Sequence, residues 1–347
     1  MSYLKNKKKY HIAILILFLF LILFMFCAVA LGTVHIDVTD VIKITLNKIK
    51  FLDIDISNIK KSNIFIVLNV RLPRIIISAL CGGILALVGV AYQAIFKNPM
   101  AEPYIMGSSS GAAFGATLGI VLGINKNIMG LGIISLLAFA GALITTILVY
   151  SLAKKGNRIS TTSILLSGIV MSSLLSSIVS LIMIFNHEEL GKIIGWTMGS
   201  FNGASWTQIV VVVIPAIIGS FVLISLAKEL NALSVGEESA QCLGVNVETV
   251  KKIVLVVASL LAACAVSVSG IIGFVGLIVP HLLRLIFGSD HRVLMPISFV
   301  GGAMFLLICD TLARNILRGV EIPVGIITSI FGGPFFLYLL RKSKNSI

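Results

Sequence analysis

The sequence predicts an all-α protein that crosses a membrane many times. Of its 347 residues, 58% are hydrophobic and only 12% are charged, and the mean hydropathy is +1.08. Soluble domains usually carry about 25% charged residues, so this chain has too little polar surface to cover a globule in water. Disorder is excluded as well, because disordered chains have low hydrophobicity. Runs of about twenty apolar residues then indicate helices that span a bilayer.

Ten apolar segments predict ten spans. Residues 12–31 are twenty consecutive apolar residues, enough to cross a bilayer core of about 30 Å at 1.5 Å per residue. A signal peptide has a shorter apolar region and small residues at its cleavage site, so we expect an uncleaved first span. The glycine-rich stretch at 254–287 also admits one span instead of two, which would give nine. The other nine predicted spans are residues 64–95, 104–124, 128–152, 160–185, 207–227, 252–270, 272–288, 293–313 and 323–340.

The basic residues predict the orientation of these spans. The chain carries 27 Lys and Arg against 14 Asp and Glu, a formal net charge of +13. Ten spans place both termini on one side, and an inside N-terminus puts 16 of the 27 basic residues on that side. Because cytoplasmic loops carry an excess of Lys and Arg, both termini are expected in the cytoplasm. The charge therefore reflects membrane topology and does not point to a nucleic acid partner.

We expect one transmembrane domain over residues 1–347, with residues 1–11 in the cytoplasm. Residues 33–63 and 186–206 are predicted to be external segments. Residues 228–251 are predicted to be internal and to form two short helices, since Ser234 with an acidic residue three positions later is a capping-box pattern. Two triplets with equal spacing suggest two inverted halves of five spans each, as in many transporters: Gly89, Pro99 and Gly107, and Gly270, Pro280 and Gly288.

Few side chains in the spans could carry chemistry. Asp310 is the one acid deep inside an apolar run, and an acid in a span is a functional hypothesis by default; it could couple transport to protons, pair with an arginine or cap a helix. His281 and Arg284 lie one helical turn apart. The five cysteines have no metal-ligand or redox spacing. No catalytic constellation or metalloprotease motif appears, so the sequence favours a transporter over an intramembrane enzyme.

Energy for uphill transport has two candidate sources. The sequence lacks a Walker loop, because its one Gly-Lys pair, Gly191-Lys192, is followed by Ile193. Either an ion gradient acting on a carrier that works alone, with Asp310 as its best support, or a separate ATP-binding subunit must supply the energy. The chain itself is expected to hold no cofactor. Hydroxyl-rich stretches at residues 107–111 and 160–163 either line a water-filled path or bond back to the helix backbone, and the sequence leaves both open.

Six motifs in order along the chain resemble the FecCD family of ABC importer permeases, which serve iron–siderophore complexes, haem and vitamin B12. The resemblance covers about residues 64–345. The strongest motif runs from Gly270 through Pro280, His281 and Arg284. The others lie at residues 71–74 (Arg-Leu-Pro-Arg), 98–103 (Asn-Pro-Met-Ala-Glu-Pro) with 107–112, 195–200 (Gly-Trp-Thr-Met-Gly-Ser), 233–244, and 310–314 (Asp-Thr-Leu-Ala-Arg) with 321–325.

The resemblance implies the type II ABC importer permease fold and a set of partners. The expected partners are a second permease chain, identical or similar, two cytoplasmic ATP-binding subunits, an external substrate-binding protein and the lipid bilayer. It also implies three groups of site residues. Those that dock the binding protein are Arg71, Arg74 and Arg314; without the family, Arg71 and Arg74 would be ordinary snorkelling residues at a span end. Those that couple to the ATPase are Gly236, Glu237, Ala240, Leu243 and Gly244. Those that line or gate the path are Ser110, Ser160, Thr161 and Thr162.

The same resemblance suggests the cargo. An iron–siderophore complex comes first, with haem or vitamin B12 as alternatives, because selectivity in this family rests largely with the binding protein. The metal travels chelated, so we expect His281 and Arg284 to be structural or coupling residues and not iron ligands. A path for such a cargo should be wide and weakly binding.

Overall fold

A computed structural model describes residues 2–32, 34, 36–47, 55–123, 127–128, 131–156, 158–317 and 320–344. Parts of the predicted external segment 33–63, including Asp53, lie outside the described residues. The α-helices are α1 Ser2–Ala30, α2 Val38–Asn47, α3 Lys61–Phe65, α4 Leu72–Phe96, α5 Ser108–Val121, α6 Ile133–Ala153, α7 Thr161–Phe185, α8 Leu190–Thr197, α9 Trp206–Ser225, α10 Ala227–Val235, α11 Glu237–Cys242, α12 Val247–Ser269, α13 Val275–Phe287, α14 His291–Asn315 and α15 Val324–Lys344.

The secondary structure is almost entirely helical, with two minimal exceptions. Two antiparallel hairpins follow α5 and α6: β1 Asn127–Ile128 pairs with β2 Leu131–Gly132, and β3 Lys154–Lys155 pairs with β4 Arg158–Ile159.

A π-helical segment, Ile66–Arg71, joins α3 to α4 without a break. The indole N–H of Trp206 donates to the carbonyl of Leu68 in that segment at 3.0 Å. Trp206 therefore ties the start of α9 to the long helix formed by α3, the π segment and α4.

Every predicted span contains a helix, but not every helix is long enough to cross a bilayer alone. Within the described residues, seven helices have the length and apolarity of a membrane span. The remaining three are shorter in apolar length: α5 has 14 residues, α13 has 13, and the apolar part of α15 is Val324–Tyr338. A 14-residue helix covers about 21 Å, against a hydrocarbon core of about 30 Å.

Irregular backbone precedes α5 and α13, the two shortest of the ten helices in predicted spans, so both begin inside the protein. Residues 97–107 lead into α5 and end at Gly107, whose φ of 74° is left-handed. Residues 270–274 lead into α13 and end at Phe274, which also has a left-handed φ of 68°. Irregular backbone at membrane depth is tolerated where protein buries it. The break at 270–274 separates α12 from α13 and gives two helices where the sequence also admitted one.

The fold repeats its packing between two halves. One half consists of α1, α4, α5, α6 and α7, and the other of α9, α12, α13, α14 and α15, in corresponding order. In this correspondence α4 matches α12 and α6 matches α14. The contact between α4 and α14 therefore has its counterpart in the contact between α12 and α6. Likewise, α5 packs on α6 as α13 packs on α14. The two glycine–proline triplets that suggested the two halves do not occupy equivalent positions in them. Gly89 lies inside α4, whereas Gly270 caps the end of α12, so that spacing was coincidental although the two halves are present.

Glycines let the central helices approach closely. A Cβ on Gly82 would lie 2.2 Å from the carbonyl oxygen of Gly302, and one on Gly302 would lie 2.3 Å from that of Gly82. The backbones of α4 and α14 therefore touch, as small residues allow in membrane helices. A Cβ on Gly89 would similarly meet the carbonyl of Gly276 at 2.1 Å, which places α13 against the middle of α4. The core of the molecule is thus built around α4.

Candidate functional site

A buried ion cluster joins α4, α14 and the segment after α14. Arg74, at the start of α4, donates from Nε to Asp310 Oδ1 at 3.0 Å, and its Nη1 donates to Glu321 Oε2 at 2.7 Å. The side chain of Asp310 is 0% exposed and that of Glu321 is 37% exposed. Arg74 therefore links a fully buried carboxylate to one at the surface.

The other two predicted docking arginines extend this cluster to the end of α1. Arg314 Nε lies 3.2 Å from Asp310 Oδ2, one helical turn away, and its Nη1 donates to the carbonyl of Leu31 at 3.4 Å. Arg71 donates to the carbonyl of Val29 at 2.7 Å and also to Ala30 and Val34. Carbonyls at a helix C-terminus lack helical partners and favour a cation. Arg71 and Arg314 therefore hold the end of α1 in place.

These groups surround a cavity of about 180 Å³, which we call the arginine cavity. Its lining includes Arg71, Arg74, Arg314 and Glu321, with Gly32 beside the Arg71 guanidinium. Three guanidinium groups against the carboxylates of Asp310 and Glu321 leave a net charge of +1. Each arginine is only 4% exposed. The structure thus brings the three predicted docking residues together, in a site where each of them already contacts acceptor groups of this chain.

At the opposite end of α14 lie the short helices α10 and α11; of the five predicted coupling residues, Glu237 and Ala240 lie in α11, and Gly236, Leu243 and Gly244 flank it. Gly236 separates the two helices in an extended conformation, and Gly244 follows α11 with a left-handed φ of 82°. Leu243 is 74% exposed and Val235 is 80% exposed. Ala240 is fully buried within this chain, so its methyl group is not on the free surface. The exposed apolar side chains therefore lie at the ends of α11.

Two polar contacts connect this pair of helices to the long helices. Asn231 on α10 donates from Nδ2 to Asp290 Oδ1 at 2.8 Å, and its Oδ1 accepts the backbone N–H of His291 at 2.9 Å. On α11, Glu237 Oε1 lies 2.8 Å from Nζ of Lys251, a residue of α12 whose side chain is 4% exposed. The short helices are thus anchored to α14 and to α12.

Asp290 is the centre of the first of these contacts. Its carboxylate caps α14 by accepting the backbone N–H of Arg292 at 3.0 Å, and it also accepts Nε of Arg292 at 2.9 Å. The hydrogen bonds from Arg292 and Asn231 lower the pKa of Asp290 to about 2, against the smaller opposing effect of burial. The group therefore stays ionised at neutral pH and remains an acceptor for Asn231.

The predicted path residues lie at two levels of the molecule. Ser160 caps α7 by accepting the N–H of Ser163 at 3.2 Å, and Thr162 is exposed beside it. Ser110 lies in the first turn of α5, which begins level with residues 168–172 of α7. At 1.5 Å per residue, that is about 12–18 Å along the helix from Ser160. The structure therefore does not bring Ser110 together with Ser160, Thr161 and Thr162.

A serine-rich face of α7 was missed by sequence reasoning. One face packs on the protein through four buried residues, whereas the exposed face carries Ser173, Ser176, Ser177 and Ser180. Two of these hydroxyls bond back to the backbone, Ser177 to Ser173 and Ser180 to Ser176. The spacing of three and four residues was the signal that could have identified this face.

The motif residues His281 and Arg284 make contacts within the chain. Arg284 Nη2 donates to Gln93 Oε1 at 2.7 Å, and Gln93 Nε2 donates to the carbonyl of Gly276 at 3.1 Å. The His281 ring packs edge-on against Phe335 with centroids 6.1 Å apart. Both residues therefore tie α13 to its neighbours, α4 and α15. Sequence reasoning assigned no role to Glu321, Asn231, Asp290 or Lys251, because their partners are distant in sequence.

Comparisons with known proteins agree with this architecture. Residues 19–342 match the FecCD transport family. A cobalamin import system permease protein of Halobacterium salinarum is 45% identical over 80% of this chain and 74% of its own length. A hemin transport system permease protein of Yersinia pestis is 37% identical over 80% of this chain and 82% of its own length.

The fold is also that of a solved transporter. A structure of an ABC transporter assigned to the metal-chelate type, in an inward-facing conformation, has a TM-score of 0.80. It is 33% identical in sequence, and the match covers 96% of this chain and 99% of the other. The ion-coupled carrier and the intramembrane enzyme that the sequence raised are therefore set aside. The chain belongs to the FecCD transport family and is a multi-pass ABC importer permease, a transport subunit that works with separate ATPase subunits and a substrate-binding protein.

Proposed function

We propose that this chain is the permease of an importer that moves an intact iron–siderophore complex into the cytoplasm. The observation that carries the proposal is the family match over residues 19–342 together with the likeness to a metal-chelate type transporter. A chelated metal needs no ligands from the permease. Its path needs width and weakly interacting walls, which the hydroxyl-rich face of α7 supplies.

Cobalamin is the second candidate cargo, and a specific observation favours it. The relative that is 45% identical to this chain is named for cobalamin import. The hemin permease of Yersinia pestis shares less sequence, 37%. All three cargoes are large, planar or globular metal complexes, so one path geometry serves them and the sequence of the permease alone does not separate them.

The assembly that we propose contains two permease chains, this one and an identical or similar copy, with the exposed face of α7 lining the path between them. Ser110, Ser160, Thr161 and Thr162 would contact the cargo or gate its passage at two levels. Alternating access follows if ATP binding and hydrolysis in the partner subunits move the permeases so that the path opens to one side at a time. Both termini lie in the cytoplasm in this arrangement.

The ATPase contact is proposed on α10 and α11. Gly236, Glu237, Ala240, Leu243 and Gly244 lie on these helices or directly beside them. Val235 and Leu243 support this assignment, because both are apolar and at least 74% exposed at an end of the molecule that faces water. Removing such side chains from water on binding is favourable, at roughly 25 cal/mol per Å² of apolar surface.

The binding-protein contact is proposed at the arginine cavity. Arg71, Arg74 and Arg314 carry one positive charge more than Asp310 and Glu321 neutralise. An acidic side chain of the binding protein that entered the cavity would balance this charge, and arginine–carboxylate pairs fix orientation and raise encounter rates.

Uptake by cells that lack and then regain the gene tests the cargo. Labelled ferric siderophore, haemin and cobalamin are supplied separately, and initial uptake is measured. We expect ferric siderophore uptake to depend on the gene while the other two do not. A response of cobalamin alone would replace the iron assignment by the second candidate, and a response of none would reject both.

A further inference from the structure

The hydrogen bonds of Asn231 connect the proposed ATPase contact to a helix that crosses the whole protein. Its amide bonds to Asp290 and to the backbone N–H of His291 in the first turn of α14. We propose that Asn231 is a positioning residue that transmits movement of α10 to α14, and through α14 to the arginine cavity on the outside. This inference rests on the proposed contact of α10 and α11 with the ATPase.

The hydrogen bonds of Asn231 hold α10 firmly against the start of α14. Asn231 uses both ends of its amide: Nδ2 donates to Asp290, while Oδ1 faces the backbone N–H and Nδ1 of His291, at 2.9 and 2.7 Å. His291 is 5% exposed, and Asp290 is held by Arg292. The backbone N–H at the start of a helix has no partner within that helix. Asn231 therefore completes the cap of α14 from another helix, and α10 cannot shift without disturbing that cap.

α14 can carry the displacement because it is long, continuous and tightly packed. It has 25 residues, which corresponds to about 37 Å. Its middle touches α4 through Gly302 and Gly82, and its outer end carries Asp310 and Arg314. The same helix thus begins at α10 and ends in the arginine cavity, and packed helices respond to force by moving as bodies.

The second inner contact is built differently. Lys251 reaches Glu237 with a long, flexible side chain, and Glu237 is 40% exposed. Lys251 is buried, but water competes for a carboxylate as exposed as that of Glu237, which weakens the pair. Asn231 is short, makes its bonds in two directions and meets the helix start directly, so we assign the transmission to Asn231 and α14.

An exchange experiment in the assembled transporter tests this assignment. The variants are Asn231→Asp, Asp290→Asn and the double variant with both changes. Asn231→Asp removes the donor and opposes two carboxylates, whereas Asp290→Asn leaves an amide oxygen that still accepts, in a weaker bond without the charge. The double variant restores a bond of reversed polarity, while Asn at position 290 still caps α14. The matched control is Asn246→Asp, the same chemical change at the N-cap of α12, where Asp caps as well as Asn.

The readout is the factor by which the binding protein stimulates ATP hydrolysis in proteoliposomes. This signal must pass from the outside to the ATPase, and a uniform loss of folded protein does not change the ratio. We expect Asn231→Asp to lose about tenfold of the stimulation, since a charge-assisted hydrogen bond is worth about that factor or more in an equilibrium, and Asp290→Asn to lose less, because its neutral bond remains. The double variant should return to within about twofold of the wild type, with Asn246→Asp unchanged.

Two results would overturn the assignment. One is wild-type stimulation in Asn231→Asp; the other is a double variant no better than Asn231→Asp, which would mean that Asn231 acts by touching the ATPase directly. If Asn231→Asp does not assemble, Asn231→Ala removes the bonds without adding a charge, and wild-type stimulation there overturns the assignment equally. A wild-type permease that binds no ATPase at all would instead reject the proposed function.

Discussion

Asp310 is the residue for which the structure changes the interpretation most. An acid inside an apolar run suggested a proton-coupling group, yet its carboxylate is fully buried between Arg74 and Arg314. Two guanidinium groups pair with this carboxylate, which therefore acts as their counter-ion. Energy from a separate ATPase makes a proton carrier unnecessary as well. The residue therefore stabilises the outer ends of α4 and α14.

Replacing Asp310 by Asn should destabilise the permease strongly. The change leaves two buried guanidinium groups without their carboxylate, and breaking a buried pair in this way costs about 3–5 kcal/mol. We expect a clearly lower midpoint of thermal unfolding for the purified permease in detergent. Glu321→Gln is the matched control, because the Glu321 side chain is 37% exposed and water can replace part of its contact. Equal midpoints for the two variants would contradict the counter-ion role.

The arginine cavity predicts opposite effects of two charge changes on docking. Glu321→Gln raises the net charge of the cavity and should speed association with an acidic binding protein. Arg314→Gln lowers that charge and should slow the association. At low salt we expect the association rate to change by about two- to tenfold, and the effect should shrink as salt is added. Surface plasmon resonance of the assembled complex at several salt concentrations measures both.

Opposite signs separate docking from simple damage to the fold, which would weaken both variants. Lys61→Gln is the control for a lost positive charge, since Lys61 is exposed and does not line the cavity. Reversing Arg71 or Arg74 to Glu is a poorer test. A glutamate at position 74 would oppose the carboxylate of Asp310, and a glutamate at position 71 would leave the carbonyls at the end of α1 without their donor. If Arg314→Gln and Lys61→Gln behave alike, the cavity has no special part in docking.

At the scale of elements, the contact between α4 and α14 is the one most sensitive to volume. Gly82→Ala places a methyl group where the carbonyl oxygen of Gly302 would be 2.2 Å away, so the helices must separate. Overpacking of this kind costs about 1–3 kcal/mol, and we expect a lower unfolding midpoint and a reduced yield of folded permease. Gly191→Ala in α8 is the control, as nothing lies within 4 Å of its Cβ.

The sequence predicted the elements better than their ends or their partners. Apolar runs identify spans because a helix must satisfy its own backbone in lipid, so all ten segments were found. The left-handed residues Gly107 and Phe274, which delay the starts of α5 and α13, are set by tertiary contacts and leave no periodic signal. Asn231 and Asp290 are 59 residues apart, and only the fold brings them together. The arginines were found through family resemblance, but their bonds to α1 were not.

For the whole molecule, α14 gives the two ends of the protein a common element. The inner end of this helix meets α10, the outer end meets the arginine cavity, and α4 supports it between them. The counterpart in the other half, α6, packs on α12 but has no such pair of polar ends in the described residues. The two halves therefore share a packing plan, whereas the two proposed partner contacts both lie at ends of α14.

The orientation of the whole chain and its contact with the ATPase can be tested together at Cys242. This cysteine is exposed on α11, whereas Cys81, Cys264 and Cys309 are buried. Cys27 is exposed on α1 within a predicted span, where lipid disfavours the reactive thiolate. With a cytoplasmic inner face, a membrane-impermeant maleimide should label Cys242 in inside-out vesicles and not in intact cells. Lys192→Cys, at a position whose side chain is 71% exposed on the external side, should label in intact cells.

Protection by the ATPase is the second part of the same measurement. Vesicles that contain the permease alone should react at Cys242 at least about tenfold faster than vesicles with the assembled complex, because contact with a partner excludes the reagent from the interface core. A Cys242→Ser variant gives the background from the other thiols. Labelling of Cys242 in intact cells would reverse the orientation, and equal rates with and without the ATPase would move the contact away from α10 and α11.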